Sequence, residues 1–276
     1  FHFVFMYRCV GFEDGLKDFL NMSMRVVEST HAMFSAFPFA DYTTVLSFSP
    51  QAHWGLEHAS STMIAVGETC FIDKTERMRA IRVFAHELFH AWNVCSLKPA
   101  ELMLPDLEHG SLTDLLWVAE GFTRYYEFLL SARAGEMSGD DVISNLIHFH
   151  QQLCALPAFK HTSAADSSYG SFLNHHRYSG SANTTVDYYD FGMLAAFDLD
   201  VALRAAGSSL DEQFSAFYRE FVRTGYSQKQ LAEFLGRTSK DAAAIIAREV
   251  EGRGTLSTAD SLKELGFDVA TETLPY

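Results

Sequence analysis

The pentapeptide His-Glu-Leu-Phe-His, residues 86–90, lies in an apolar stretch, residues 79–94, that contains neither proline nor glycine. The apolar residues of this stretch recur with helical spacing, which predicts a helix. On a helix, positions i and i+4 share a face, so His86 and His90 can both reach one zinc ion. Glu87 projects beside them, where its carboxylate could take a proton from a metal-activated water. The pattern H-E-x-x-H therefore predicts a zinc hydrolase.

The two histidines have an alternative interpretation as ordinary residues of an amphipathic helix, either solvated or packed in a core. Their neighbours include Ile81, Phe84 and Phe89, so we expect this helix to be buried. A buried imidazole without a partner costs free energy. Because a metal ion would remove that cost, the zinc interpretation is favoured.

A third protein ligand is needed, since catalytic zinc sites have three protein ligands and a water. The apolar segment 115–126, LLWVAEGFTRYY, has helical periodicity and carries one carboxylate, Glu120. A carboxylate among apolar side chains is costly unless a cation meets it. The alternative pairs Glu120 with Arg124 at i, i+4, which is worth roughly a few tenths of a kcal/mol. That pairing does not explain the apolar neighbours, so we predict Glu120 as the third ligand.

Four segments resemble, in the same order, motifs of the glycyl aminopeptidase family of metallopeptidases. They are GLEHASS (55–61), HELFHAWNV (86–94), LWVAEGFTRYY (116–126) and NTTVDYYDFG (183–192). This family is grouped with the thermolysin-like gluzincins, in which two histidines and a downstream glutamate bind zinc. The resemblance extends from about Val26 to the C-terminus. It implies one zinc ion per chain, held by His86, His90 and Glu120.

The resemblance also implies the fold, an α+β thermolysin-like zinc metallopeptidase catalytic domain. We expect a small α/β lobe over residues 1–74 and a mostly helical lobe over residues 75–276 that carries the zinc site. The chain starts without a methionine or a signal peptide. The family's N-terminal β-domain and C-terminal PDZ-like domain are not recognisable in it. We therefore expect the chain to begin within a longer protein, and the sequence predicts no compartment.

Two further residues acquire roles from the resemblance. In gluzincin aminopeptidases the glutamate of a G-x-M-E-N stretch binds the α-amine of the substrate, and Glu57 matches it. The alternative for Glu57 is a surface glutamate in a loop. The tyrosine of a Y-x-x-G stretch stabilises the oxyanion of the tetrahedral intermediate, and Tyr189 matches it. Tyr188, Tyr125 and Tyr126 compete with Tyr189 for this role.

The sequence departs from the family pattern at three places. Trp54 and Phe191 replace a glycine and a lysine, respectively, and Cys95-Ser96 replaces a basic pair. We expect these departures to affect substrate preference and not the metal.

The composition excludes several kinds of partner. A net charge of −14 argues against nucleic acid and anionic membranes as partners. No apolar run approaches the ~20 residues of a membrane span. The 4 cysteines show no C-x-x-C spacing, so we expect free thiols rather than a disulfide framework. The expected partner is a peptide with a free N-terminus, and the oligomeric state is not predicted.

Periodicity predicts the remaining secondary structure. Strands are expected at 1–8, 43–48, 62–66 and 70–72, and helices at 14–37, 186–205, 209–223, 227–235, 239–250 and 258–265. Residues 161–171 and 179–183 are expected to be loops, with His175-His176 between them as a solvated pair.

Together these observations predict a zinc-dependent aminopeptidase with Glu87 as general base. The resemblance implies that the residue removed is small, glycine or alanine. Three alternatives remain: a zinc endopeptidase, a catalytically inactive zinc-bearing peptide-binding domain, and a purely structural helical domain. Glu87 argues against an inactive domain, because a structural zinc site does not need a general base.

Overall fold

The structure, a computed structural model, describes residues 1–6, 9–50, 53–174 and 180–270. The chain forms two compact units. Unit 1 comprises Phe1–Ser111, Phe122–His148 and Tyr218–Tyr226, and unit 2 comprises Leu112–Gly121, Phe149–Phe217 and Ser227–Tyr276. The division into lobes at residue 74 stays a prediction, and His175-His176 lie outside the described residues. No helix in the described part is long and apolar enough to cross a membrane.

Helices and a small sheet make up the described residues, which confirms the predicted α+β class. The strands are His2–Phe5 (β1), Thr43–Phe48 (β2), Trp54–Glu57 (β3) and Ser61–Val66 (β4). The α-helices are Phe12–Phe34 (α1), Lys74–Phe89 (α2), Leu116–Ala119 (α3), Gly121–Arg133 (α4), Gly139–Ala155 (α5), Ala164–Tyr169 (α6), Ser171–Asn174 (α7), Tyr188–Ala205 (α8), Leu210–Phe221 (α9), Gln228–Gly236 (α10), Lys240–Ile245 (α11) and Thr258–Glu264 (α12). Ile246–Val250 continues α11 as a π-helical turn.

The strands form one mixed sheet in unit 1, in the order β1-β2-β4-β3. β1, β2 and β4 are parallel, whereas β3 is antiparallel to β4, with Glu57 opposite Thr62. Side chains along a strand alternate between two faces. Gly55 and Glu57 therefore share one face of β3, while Trp54 and Leu56, which are 50% and 53% exposed, share the other. The sequence did not predict β3.

The predicted strand at residues 70–72 is wrong. These residues form a turn in which the Ile72 N–H donates to the Thr69 carbonyl oxygen at 2.9 Å. The turn is apolar because Phe71 is buried in unit 1 and packs edge-on against Phe19 of α1. Burial, not strand pairing, explains the pattern.

Two other predicted boundaries also change. The stretch 161–171 was predicted to be a loop, but it contains α6 because Ser163 and Asp166 form a capping box. The first helix was predicted to end at Pro38. It ends instead before Ser35, which has a left-handed φ of 61° and so cannot continue the helix.

α8 is the central helix of unit 2 and packs against α3, α6, α11 and α12. Its backbone lies very close to that of α3, since a Cβ atom at Gly192 would be 2.1 Å from the Trp117 carbonyl oxygen. Asp187 caps the helix, and its Oδ1 accepts the backbone N–H groups of Tyr189 and Asp190 at 2.8 and 3.4 Å. The start of α8 is thus fixed both by packing and by its cap.

Unit 2 also contains two carboxyl groups in its interior. Asp198 of α8 is 1% exposed and Glu249 of the π-helical turn is 0% exposed. The Thr258 hydroxyl donates to Asp198 Oδ2 at 3.0 Å, and Arg248 pairs with Glu249 at 2.9 Å. Burial, and next the charge of Glu249, raise the pKa of Asp198 well above its usual range. Asp198 therefore keeps its proton to a higher pH in the folded state than in the unfolded chain.

This raised pKa predicts how stability depends on pH. The folded state binds the Asp198 proton more tightly than the unfolded state does, so this contribution is present at low pH. It is lost as pH rises above the ordinary aspartate range, about 4. Asp198→Asn keeps a hydrogen-bond donor but does not titrate. The free energy of unfolding of the wild type should therefore fall relative to this variant as the pH rises above about 4, as measured by denaturant titration. Parallel curves would contradict the assignment.

Candidate functional site

Helix α2 brings His86 and His90 together in unit 1. The helix is capped by Asp73, whose side chain accepts the Glu76 N–H at 2.8 Å. His90 follows the last helical residue with helical dihedral angles, φ −59° and ψ −22°, and its N–H donates to the His86 carbonyl at 3.2 Å. The i, i+4 geometry is thereby preserved, and the two ring centroids are 4.7 Å apart.

Each histidine has its Nδ1 atom next to an oxygen acceptor. His86 Nδ1 lies 3.2 Å from Glu127 Oε2, and His90 Nδ1 lies 2.9 Å from the Asn93 carbonyl oxygen. These contacts place the proton of the neutral ring on Nδ1, which leaves the Nε2 lone pair for a metal. Histidines that bind metals are oriented in this way. The donor set of α2 therefore fits a divalent metal such as zinc.

Glu127, on α4, is the acceptor for His86 and is itself held by a cation. Arg82 Nε donates to Glu127 Oε1 at 2.7 Å. Burial opposes ionisation of Glu127, but the Arg82 charge and the hydrogen bond from His86 outweigh it and lower the pKa of Glu127 to about 2. An ionised carboxylate therefore faces His86, and it links α2 to α4.

The loop after α2 is held in a similar way. The Asn93 side-chain amide donates to Thr123 Oγ1 of α4 at 3.0 Å. This contact fixes the backbone whose carbonyl accepts the His90 ring proton. Neither Glu127 nor Asn93 was singled out in the sequence. The sequence could have indicated Glu127, because it is a second carboxylate in the apolar region that contains Glu120 and lies two helical turns later.

Glu87 is 5% exposed and lies beside the edge strand β3. Its backbone carbonyl accepts the Tyr42 hydroxyl at 3.2 Å. A Cβ atom at Gly55 would lie 2.4 Å from the Glu87 carboxyl group, so β3 can pass this close only with glycine at position 55. One ligand atom each of Glu57, Glu87 and His90 lie within 4.8 Å of one another. The structure thus brings the predicted amine-binding glutamate to the predicted general base.

Glu120 lies in unit 2, at the junction of α3 and α4. The predicted helix 115–126 is interrupted here: Glu120 ends α3, its N–H donating to the Leu116 carbonyl at 2.8 Å. The interruption coincides with close packing, because a Cβ atom at Gly121 would be 2.4 Å from the Gly192 Cα atom of α8. Trp117 is buried, and its indole N–H donates to Gln228 at 3.0 Å. Glu120 thus follows directly on a firmly packed turn.

The competing tyrosines occupy different places. Tyr188 and Tyr189 begin α8 in unit 2 and stack with ring centroids 5.0 Å apart. Burial, then the charges of Glu120 and Asp187, raise the pKa of Tyr188 to about 12. In unit 1, Tyr126 is fully buried and stacks on Phe89 with centroids 4.5 Å apart, which assigns it a packing role.

Two departures from the family pattern now have structural explanations. Phe191 is buried in unit 2, where its ring centroid is 6.2 Å from that of Phe159. It is therefore a core residue. Trp54 projects from the face of β3 opposite Gly55 and Glu57, so its side chain points away from Glu87.

Residues 79–195 match the model of the M61 glycyl aminopeptidase family. The matched segment, which is less than half of the chain, is similar to this family of metallopeptidases. The match includes the H-E-x-x-H helix, Glu120 and Tyr189 and confirms the resemblance inferred from the sequence motifs. No curated protein matches the chain.

Solved structures share the fold of this chain. An aminopeptidase N family protein from Idiomarina loihiensis superposes with a TM-score of 0.87 at 22% identity, covering 95% of this chain and 46% of that one. An M1 zinc metallopeptidase from Deinococcus radiodurans gives a TM-score of 0.57 at 21% identity, covering 85% of this chain and 44% of that one. A mutant of that metallopeptidase bound to a Tyr-Ser-Ala substrate gives 0.55 at 20% identity, covering 84% and 44%. The chain spans less than half the length of these proteins, and the likeness establishes a thermolysin-like fold.

The geometry of Glu127 predicts its effect on metal binding. Glu127→Gln should weaken zinc binding by roughly 10- to 100-fold, because His86 loses a charged acceptor that orients its ring. Competition with a chelator would measure the change. Glu136→Gln is the matched control, since Glu136 is also buried and pairs with Arg77 of α2 at 3.3 Å. Equal loss of zinc in both variants would contradict a specific role for Glu127.

Proposed function

We propose that the protein is a zinc-dependent aminopeptidase that removes a small N-terminal residue, glycine or alanine, from peptides. The observation that carries this proposal is the geometry of α2. Its two histidines have their Nδ1 atoms committed to oxygen acceptors, and the buried carboxylate of Glu87 lies between them in sequence. A helix that only packs in a core does not require two histidines with fixed tautomers and a buried carboxylate between them.

The proposed ligands of one zinc ion per chain are His86, His90 and Glu120. The contacts of the two imidazoles support their part, because each has Nδ1 next to an oxygen acceptor, which favours the tautomer that carries its lone pair on Nε2. The position of Glu120 after the buried turn 117–119 and its place in the family motif support the third. When bound, zinc would polarise the scissile carbonyl and make a water easier to deprotonate.

Glu87 is the proposed general base. Its carboxylate takes a proton from the attacking water and passes it to the leaving amine. Its near-complete burial and the glycine backbone beside it hold it in one position, so proton transfer requires little rearrangement.

Glu57 and Tyr189 complete the proposed machinery. Glu57 shares its face of β3 with Gly55 and lies within reach of Glu87 and His90, where a carboxylate can bind the cationic α-amine of a peptide. Tyr189 stands at the capped start of α8, and its hydroxyl can donate to the oxyanion of the tetrahedral intermediate. A fixed amine anchor limits cleavage to the first peptide bond.

Two substitutions separate chemistry from metal binding. Glu87→Gln should retain zinc and lose turnover by about 10²- to 10⁴-fold, the usual contribution of general acid–base catalysis. Glu120→Gln should instead lose zinc, because a neutral amide is a poor replacement for a charged ligand. Zinc content and peptide hydrolysis are measured on the same samples.

Glu76→Gln is the control, since Glu76 lies on the same helix as Glu87 and pairs with Arg79 at 2.7 Å, and it should change neither quantity. Full activity of Glu87→Gln would contradict the mechanism. A wild type that binds zinc but cleaves no peptide would point to a peptide-binding domain.

A further inference from the structure

A cavity of about 220 Å³ lies between α8, α11 and α12 in unit 2. It is smaller than the roughly 300–1,000 Å³ of most pockets for organic ligands. An ion with a few water molecules fits it, since one water occupies about 30 Å³ in the liquid. Its lining includes polar side chains from all three helices and from the π-helical turn: Asp198, Asp241, Arg248, Asp260, Ser261 and Glu264. The mechanism proposed above does not use this cavity.

Two buried carboxyl oxygens lie at or beside this cavity. Asp198 lines it, although the side chain is almost completely buried. Oδ2 of Asp198 accepts the Thr258 hydroxyl at 3.0 Å, whereas Oδ1 accepts no hydrogen bond of ordinary geometry from the described residues. In the same part of the chain, Oε2 of the fully buried Glu249 also has no such bond. A buried oxygen in this state costs free energy, and a cation bound to it offsets that cost.

The carboxyl groups of Asp198 and Glu249 contact one another. Burial and the charge of Glu249 are the main causes that raise the pKa of Asp198, and a hydrogen bond between the two groups adds to them. Two buried carboxyl groups in contact do not both ionise unless a positive charge neutralises them. Arg248 supplies part of that charge, with its guanidinium 2.9 Å from Glu249 Oε1. A proton on Asp198 is one way to balance the rest, and a metal cation is another.

Exposed carboxylates surround the buried pair. Asp241 lies in the first turn of α11, and Asp260 and Glu264 lie on α12. All three are exposed and line the cavity, and Asp260 also pairs with Lys263 at 2.9 Å. Acidic side chains at the opening attract a cation towards the buried end. The atoms that could bind it are carboxylate and hydroxyl oxygens, which suit a hard cation such as Ca²⁺.

We propose that unit 2 binds a hard divalent cation, Ca²⁺, with Asp198 Oδ1 and Glu249 Oε2 as its buried protein ligands. Ca²⁺ takes six to eight oxygen ligands, and water in the cavity and the Ser261 hydroxyl fill the remaining positions. The cation replaces the proton of Asp198 and joins α8 to the π-helical turn. Since none of these residues belongs to the proposed zinc site, the inference concerns the stability of unit 2 and does not rest on the proposed function.

The test is a titration of zinc-loaded protein with CaCl₂ at constant ionic strength, followed by calorimetry and by thermal unfolding. One Ca²⁺ per chain should bind with a dissociation constant on the order of 10⁻⁴ to 10⁻³ M, the weak end of the range for calcium sites in proteins. At about 10 mM, Ca²⁺ should raise the unfolding midpoint by about 2–6 °C. Binding should also release a proton, because the cation and the proton compete for Asp198. Calorimetry in two buffers of different ionisation enthalpy measures that proton.

Asp198→Asn removes the charge but keeps an oxygen that can accept the Thr258 hydroxyl. It should weaken Ca²⁺ binding by at least about 10-fold and remove the shift of the unfolding midpoint. Glu233→Gln is the control, since it removes an exposed carboxylate of α10 that pairs with Lys229 at 3.8 Å, and it should keep the full response to Ca²⁺.

A wild type that binds no Ca²⁺ would overturn the inference. An equal response of the wild type and Asp198→Asn would also overturn it, because the ion would then bind elsewhere on the acidic surface. If Asp198→Asn does not fold, the wild type alone decides: Ca²⁺ binding without release of a proton would contradict a site at Asp198.

Discussion

The hydrogen bond between His86 and the buried, ionised carboxylate of Glu127 is the contact on which the geometry of the candidate metal centre depends. Glu127 remains charged in the interior chiefly because Arg82 pairs with it, with further support from the His86 hydrogen bond. The same carboxylate fixes the proton of His86 on Nδ1, so the lone pair lies on Nε2. One ion pair thus joins α2 to α4 and selects the tautomer that a metal requires. Removing the Arg82 charge would leave the buried Glu127 carboxylate without its main compensating charge, which is destabilising.

Close backbone approach is the second constraint in both units. At Gly55, β3 runs so near to Glu87 that any side chain would displace the carboxylate. At Gly192, α8 contacts the turn that precedes Glu120 with similar closeness. In each case the missing side chain allows a whole element to approach a carboxylate of the candidate site, or the turn that carries it. Backbone packing therefore positions β3 and the start of α8. The side chains on these elements are positioned with them.

Local sequence patterns predicted the metal-site helix and several other elements. They missed one strand and mistook a turn for a strand, for the physical reasons given below. The H-E-x-x-H helix, β2, β4 and α8 were predicted because their periodicity or their motif lies within a few residues. The turn at residues 70–72 was mistaken for a strand because burial and strand pairing produce the same apolar run. β3 is only four residues long, so its two apolar residues, Trp54 and Leu56, are too few to establish a strand period. Its existence depends on pairing with β4.

The hydrogen-bonding partners of the histidines show the same limit. The acceptor for His90 is a backbone carbonyl, which no residue type reveals. Glu127 could have been found by the argument that selected Glu120, since both are carboxylates in apolar helical surroundings. The sequence could not show that one of them would face Arg82 and His86, because that depends on how α2 and α4 pack.

The most direct test of the central claim is hydrolysis of a short alanyl or glycyl peptide by zinc-loaded protein, with the N-terminal amine free and then acetylated. The account predicts that only the free peptide is cleaved and that the first residue is released, because Glu57 anchors the cationic amine. Equal cleavage of both peptides would contradict it and would identify an endopeptidase with no amine anchor.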